Sequence, residues 1–143
     1  MATTTFSGPI KAGDKREGAT ANLGSVLMAQ SAVIDIIGAT TTTAVGIIPA
    51  NSQIVDVILN VTTVNNDGGA ATVKVGYSGD DDEYLPATSV KATGTTRGTI
   101  GADGTDVGST DQTVNAVFTA ANGNGTTGAA TVTVLYIQNN NLA

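Results

Sequence analysis

Gln53-Ile-Val-Asp-Val-Ile-Leu-Asn-Val-Thr-Thr63 is the stretch that decides the fold class. Val55, Val57, Leu59 and Val61 recur at every second position, which is the period of a strand with alternating faces. Asp56, Asn60 and Thr62 fall in the opposite phase, together with Ile54 and Ile58. That second face is mixed, so the pattern predicts that it meets a neighbour rather than bulk water. Ile54 and Ile58 are accordingly the candidates for an oligomer face.

Outward from this strand, the same texture repeats. Asn65-Asn-Asp-Gly-Gly69 predicts a hairpin, because Asn, Asp and Gly tolerate positive φ. It leads into Ala71–Tyr77, where Val73, Val75 and Tyr77 alternate with Thr72 and Lys74. On the other side, Ile48-Pro-Ala-Asn-Ser52 predicts a turn closing a short strand, Ala44–Ile48. Gly38–Thr43 reads as a polar loop or a Thr-rich edge. Leu23–Ile37, the longest apolar stretch, predicts one long strand or two short ones from its Val/Ile content and flanking glycines. Ser78–Glu83 reads as an acidic loop before the apolar anchor Tyr84-Leu85-Pro86. Residues 87–111 carry the weakest pattern, with only Ser89–Lys91 and Thr99–Ile100 strand-like. Gln112–Ala120 and Ala129–Gln138 close the chain as two strong strands. Their apolar faces are Val114, Ala116 and Phe118, and Val132, Val134 and Tyr136, and Ala121–Gly125 reads as a loose hairpin loop between them. Roughly seven to nine short strands in one domain predict an all-β fold, an antiparallel β-sandwich of jelly-roll type. Residues 1–23 lack either period and read as an extended N-terminal arm. Residues 24–143 form the sandwich.

Composition narrows the chemistry. The 143 residues include no His, no Cys and no Trp, and only 3% are aromatic. Without His or Cys there is no Ser-His-Asp or Cys-His nucleophile, no imidazole or thiolate zinc site and no disulfide. Glycoside hydrolysis needs only carboxylates. Here, however, Glu occurs only at Glu17 and Glu83, and aromatic platforms for a sugar are scarce. No catalytic residue and no cofactor is predicted. A carbohydrate-binding module is disfavoured for the same lack of rings.

The net charge of −6 argues against nucleic acid or an anionic membrane as partner. No apolar run reaches the roughly 18 residues of a membrane span. Met1–Phe6 has neither the basic start nor the apolar stretch of a secretion signal, so synthesis and persistence in a cytoplasm are expected. Charge is uneven. The first 17 residues hold Lys11, Lys15 and Arg16 against Asp14 and Glu17, while the rest holds three cations against ten acids. A slightly basic leader thus precedes an acidic body, as a segment reaching toward a different surface would.

Asp80-Asp81-Asp82-Glu83 is the most suggestive cluster, since carboxylate oxygens suit Ca²⁺. Consecutive residues rarely converge on one ion, so a solvated loop is the favoured reading and no metal is predicted. Asp103, Asp106 and Asp111 form a second acidic stretch with the same favoured reading.

Taken in order, several fragments form a recognisable series. Thr3-Thr-Thr-Phe-Ser-Gly-Pro-Ile-Lys-Ala-Gly13 precedes a Gly24-Ser-Val-Leu strand. Ile48-Pro-Ala-Asn-Ser-Gln-Ile54 follows, then a strand ending Thr62-Thr63, and Val75-Gly-Tyr-Ser-Gly79 before an acidic loop. This series resembles the small β-sandwich cement, or decoration, proteins on the heads of tailed bacteriophages. The resemblance implies a protein on the outer surface of the virion, commonly a homotrimer near three-fold positions. Its partner would be the major capsid protein, whose neighbouring subunits it clamps against internal pressure. It implies no catalytic residues. In that setting Phe6, Pro9 and Ile10 become apolar contacts, and Lys11, Lys15 and Arg16 charge partners for capsid carboxylates. Phage tail and head-fibre proteins share the same Thr/Gly/Val style, so a component recognising a host surface is the alternative.

Overall fold

A computed structural model describes residues 27–100 and 106–138. Eight strands and no helix occur there: β1 (Leu27–Asp35), β2 (Thr41–Ile48), β3 (Ser52–Thr63), β4 (Ala71–Tyr77), β5 (Asp80–Ser89), β6 (Gly94–Arg97), β7 (Gln112–Ala120) and β8 (Ala129–Gln138). They form two four-stranded antiparallel sheets, ordered β1-β8-β3-β6 and β2-β7-β4-β5.

The pairing has a simple logic. β1 pairs with β8, β2 with β7, β3 with β6 and β4 with β5. The chain therefore behaves as one long two-stranded ribbon, turned at the β4–β5 hairpin and wound so that β8 also meets β3 and β7 also meets β4. This is the eight-stranded jelly roll. Every connection except β4–β5 passes from one sheet to the other.

The core between the sheets follows from alternation. β7 buries Val114, Ala116 and Phe118, β8 buries Ala130, Val132, Val134 and Tyr136, and β4 buries Ala71, Val73 and Val75. β1 is a single strand that turns Met28, Ala32 and Ile34 inward and leaves Leu27, Ala29, Ser31 and Val33 outside. Gln30 also lies in the inward phase. Its amide donates to the Ile47 carbonyl (2.8 Å) and the Tyr136 hydroxyl (3.1 Å), joining the two sheets across their β1/β2 margin.

Four expectations are corrected. Asn65–Gly69 is not a hairpin: β3 and β4 lie in different sheets, and the loop crosses between them. The same holds for Ala121–Gly125 between β7 and β8. The Ser78–Glu83 loop is shorter than expected, because the turn is confined to Ser78-Gly79 and the acids already belong to β5. Finally, β6 lies at Gly94–Arg97, whereas neither Lys91 nor Thr99–Ile100 is in a strand. A four-residue strand with every residue exposed has no apolar period to betray it.

The deciding strand itself shifts phase. A bulge between Ile54 and Asp56 inserts one residue against β8, so Ile54 and Val57 both face the core. Val55 is turned out and is 47% exposed. Leu59 and Val61 keep the expected inward phase.

Candidate functional site

Phe6, Pro9, Ile10, Lys11, Lys15 and Arg16 lie outside the described residues. Of the two oligomer-face candidates, Ile54 is 1% exposed and belongs to the core. The bulge that follows it removes it from the outer face. Ile58 does lie in the outward phase, half-buried, in register with Arg97 of β6 and Thr133 of β8. Beside it Asp56 and Arg97 form an ion pair that neutralises most of the charge on that face.

The acidic cluster is spread along the start of β5. Asp81 pairs with Lys74 at 2.6 Å, and this bond to Asp81 holds the Lys74 ammonium above its ordinary pKa. No group of three or more Asp, Glu, His or Cys side chains gathers among the described residues. Two register shifts in the β4–β5 pair fold residues 80–81 across Gly76, where a Cβ would overlap the Asp80 carbonyl. The fold-back makes one wall of an open groove of about 560 Å³. Thr42, Asn115 and Val117 form its floor on the outer face of the second sheet. The same shifts bury both Tyr84 and Leu85. Burial pushes the Tyr84 phenol up to about 12, and its hydroxyl donates to Gln112 Oε1 at 2.6 Å.

The most constructed polar region is at the opposite end from the β4–β5 hairpin, where four connections meet. Asn65, only 2% exposed, donates through Nδ2 to the Ile36 carbonyl (2.6 Å), and its Oδ1 accepts from the Asp67 N–H (2.8 Å). Asp67, also 2% exposed, accepts from Gly69 N (2.6 Å) and Asn124 N (3.0 Å). These backbone donors, Gly69 first, hold its carboxyl below the usual carboxylate range. Asn66 Oδ1 accepts from the N–H groups of Thr126 (2.7 Å) and Thr127 (3.1 Å). Lys91 donates to the Asp67 carbonyl, and Gly38 N donates to Gly125 O (2.8 Å). Three adjacent Asx side chains thus tie the β3–β4 crossover to the β1–β2 and β7–β8 connections, and Lys91 ties it to the β5–β6 connection.

Among the described residues, the groups with displaced pKa values are occupied by structural bonds. The geometry defines a rigid jelly-roll sandwich with one braced loop end, an acidic hairpin and long exposed strands.

Comparison with solved structures gives the same class. A chain in the acidic stable capsid structure of Helicobacter pylori bacteriophage KHP30 superposes with a TM-score of 0.64 at 18% identity, covering 79% of this chain and 88% of that one. A chain in the cyanophage Pam1 capsid asymmetric unit gives 0.63 at 17% identity, covering 88% and 94%. One from the capsid of Ralstonia phage GP4 gives 0.59 at 19% identity, covering 87% and 92%. These likenesses are of fold. No protein-family profile matches the chain, and no curated protein matches it.

Proposed function

We propose that this chain is a non-catalytic structural protein of a bacteriophage virion, a cement or decoration protein on the outer surface of the capsid shell. The observation that carries this reading is the jelly-roll likeness to chains in three phage capsid structures, over most of both chains. The absence of His and Cys from the whole sequence supports a role without catalysis.

Two parts divide the work. The sandwich is a stiff body, braced at one end by Asn65, Asn66 and Asp67 and filled with β-branched side chains. The arm, residues 1–23, supplies Phe6, Pro9 and Ile10 for apolar contact and Lys11, Lys15 and Arg16 for carboxylates of the major capsid protein. Copies associate, as trimers by the resemblance, and repetition over a shell converts modest contacts into large collective stabilisation.

The experiment is reconstitution. Purified chain, added to shells of its own phage lacking it, should bind and raise their resistance to heat. A chain lacking residues 2–17 should fold but leave the shells bare. Normal occupancy by the truncated chain would remove the arm's role. Affinity for host cells or their glycans, with none for shells, would favour a tail or head-fibre component instead.

A further inference from the structure

The two flanks of the sandwich differ in how their edge strands are guarded. On one flank lie β5 and β6. β5 carries four successive acids, Pro86 and two register shifts, and β6 is four residues long with Arg97 at its end. Short strands, charges, proline and bulges are the usual protections against edge-to-edge pairing. A close approach also seals this flank, since a Cβ on Gly98 would overlap the Tyr84 carbonyl.

The other flank has little such protection. Among the described residues β1 and β2, of nine and eight residues, are the outer strands of their sheets there, and they contain no proline. Their only charged residue is Asp35. Of the six large apolar side chains exposed among the described residues, four lie on β1, β2 or the connection between them. These are Leu27 (54%), Val33 (72%), Ile37 (40%) and Ile47 (59%). Gln30 closes the seam between the sheets from inside, and among the described residues no strand pairs with the outer edge of β1.

We infer that the β1/β2 flank is the surface through which copies of this chain meet one another. Charge selects the occupant. A basic partner would be drawn to the acidic start of β5, and a chain of net charge −6 approaches itself most cheaply where its own acids are fewest. The flank fits a partner that is uncharged, apolar and ends in a strand unpaired among the described residues, and the next copy offers one, its β2 set against β1 of the first so that the contact closes a ring. Its size is adequate. Nine residues span about 30 Å, and two sheets about 10 Å apart with their side chains give a strip about 20 Å wide, or ~600 Å² per copy. Standard interfaces cover roughly 800 Å² on each partner.

The inference deepens the capsid reading by naming where copies associate, yet self-association is a property of the chain in solution and is tested there. Light scattering on the full-length chain at micromolar to millimolar concentration should give a mass above the monomer. Val33→Lys and Ile47→Lys, both at exposed positions, should return it to the monomer with its circular dichroism unchanged and its melting temperature no longer dependent on concentration. Thr95→Lys, on the guarded flank, should leave the assembly intact. Amide exchange supplies a reading that needs no variant: protection along β1 should rise with protein concentration. A wild-type monomer throughout, concentration-independent exchange on β1, or assembly that survives both lysines overturns the inference. Assembly that behaves as described in a chain that never binds shells would overturn the capsid reading alone.

Discussion

Replacing Asn65 with Ala tests whether the braced loop end holds the sandwich together. The side chain makes two hydrogen bonds at a site 2% exposed, one to the Ile36 carbonyl and one from the Asp67 N–H. Ile36 is itself 0% exposed, so water does not readily replace the lost partner. Leaving a buried donor or acceptor unpaired costs about 1–3 kcal/mol each, which puts the loss at about 2–6 kcal/mol. At roughly 3 °C per kcal/mol for a chain of this length, calorimetry should record a drop of about 6–18 °C. Asn66→Ala is the control: its bonds to Thr126 and Thr127 are exposed, and water substitutes for them at a cost within about 1 kcal/mol. A thermodynamic cycle sharpens the assay. A Cβ on Gly125 would press on the Asn65 amide, so Gly125→Ala should destabilise the wild type more than it destabilises Asn65→Ala. The two changes should be non-additive by about 1 kcal/mol or more. Equal melting temperatures for Asn65→Ala and Asn66→Ala, with an additive cycle, would refute the reasoning.

Other outcomes follow from the same geometry. Asp67 has a depressed folded pKa, so its stabilisation is present above its unfolded value near 3.8 and lost as pH falls through the folded one. Wild type and Asp67→Asn should therefore differ in melting temperature at neutral pH and converge in acid; a constant gap would contradict this. Tyr84, raised to about 12, should ionise well above the ordinary phenol value in an absorbance titration compared with Tyr84→Phe, and stability should fall as pH climbs from 10 toward 12. Ionisation of Tyr84 near 10 would show that it is not buried as described. Gly76→Ala, whose Cβ meets backbone, should cost about 3 kcal/mol or more. Gly46→Ala meets only the Gln30 side chain and should cost about 1–2 kcal/mol, the worth of its displaced hydrogen bonds, by denaturant titration. Added calcium or chelator should leave the melting temperature unchanged, because the carboxylates of β5 do not converge.

The sequence made the strands legible where one face is buried and the other wet. β4, β7 and β8 alternate as written, and their inward sets can be read directly from Val73 and Val75, from Val114 to Phe118, and from Val132 to Tyr136. Two things were not legible. A bulge changes phase without changing composition, so Ile54 and Val55 exchange places although both are β-branched and apolar. The destination of a turn is also not local. Asn65-Asn-Asp-Gly-Gly69 has hairpin residues, yet its side chains are used to bridge to Ile36, Asn124 and Thr126 across the end of the sandwich. The clue, visible only in retrospect, was three consecutive Asx residues where a two-residue turn needs one. As for the site, composition removed histidine- and cysteine-based chemistry from the start, but surface geometry is a sum over distant segments. The β1/β2 flank stands out only against Pro86 and Gly94–Arg97 guarding the opposite side, and no short window of the sequence contains both flanks.

Durability in this fold comes from winding rather than covalent bonds. No disulfide is available, and the chain is acidic enough to repel itself. The compensation is that the first and last described strands are paired with one another, with Leu27 opposite Ile137 and Asp35 opposite Ala129. β8 is held on both sides, by β1 and by β3. Neither end of the described ribbon can fray without breaking the ladder that closes the first sheet. Long-range antiparallel pairing of this kind forms slowly, because chain entropy is spent before the contacts form. For the capsid role proposed above, what matters is how slowly the folded state is lost. Interactions that form after the folding transition state slow that loss most effectively. The Asx bridges at the loop end fit that requirement, since their partners come together only after the ribbon has been wound. The braced end and the open flank then serve different purposes. One keeps the body rigid, and the other leaves edges through which rigid bodies can be joined.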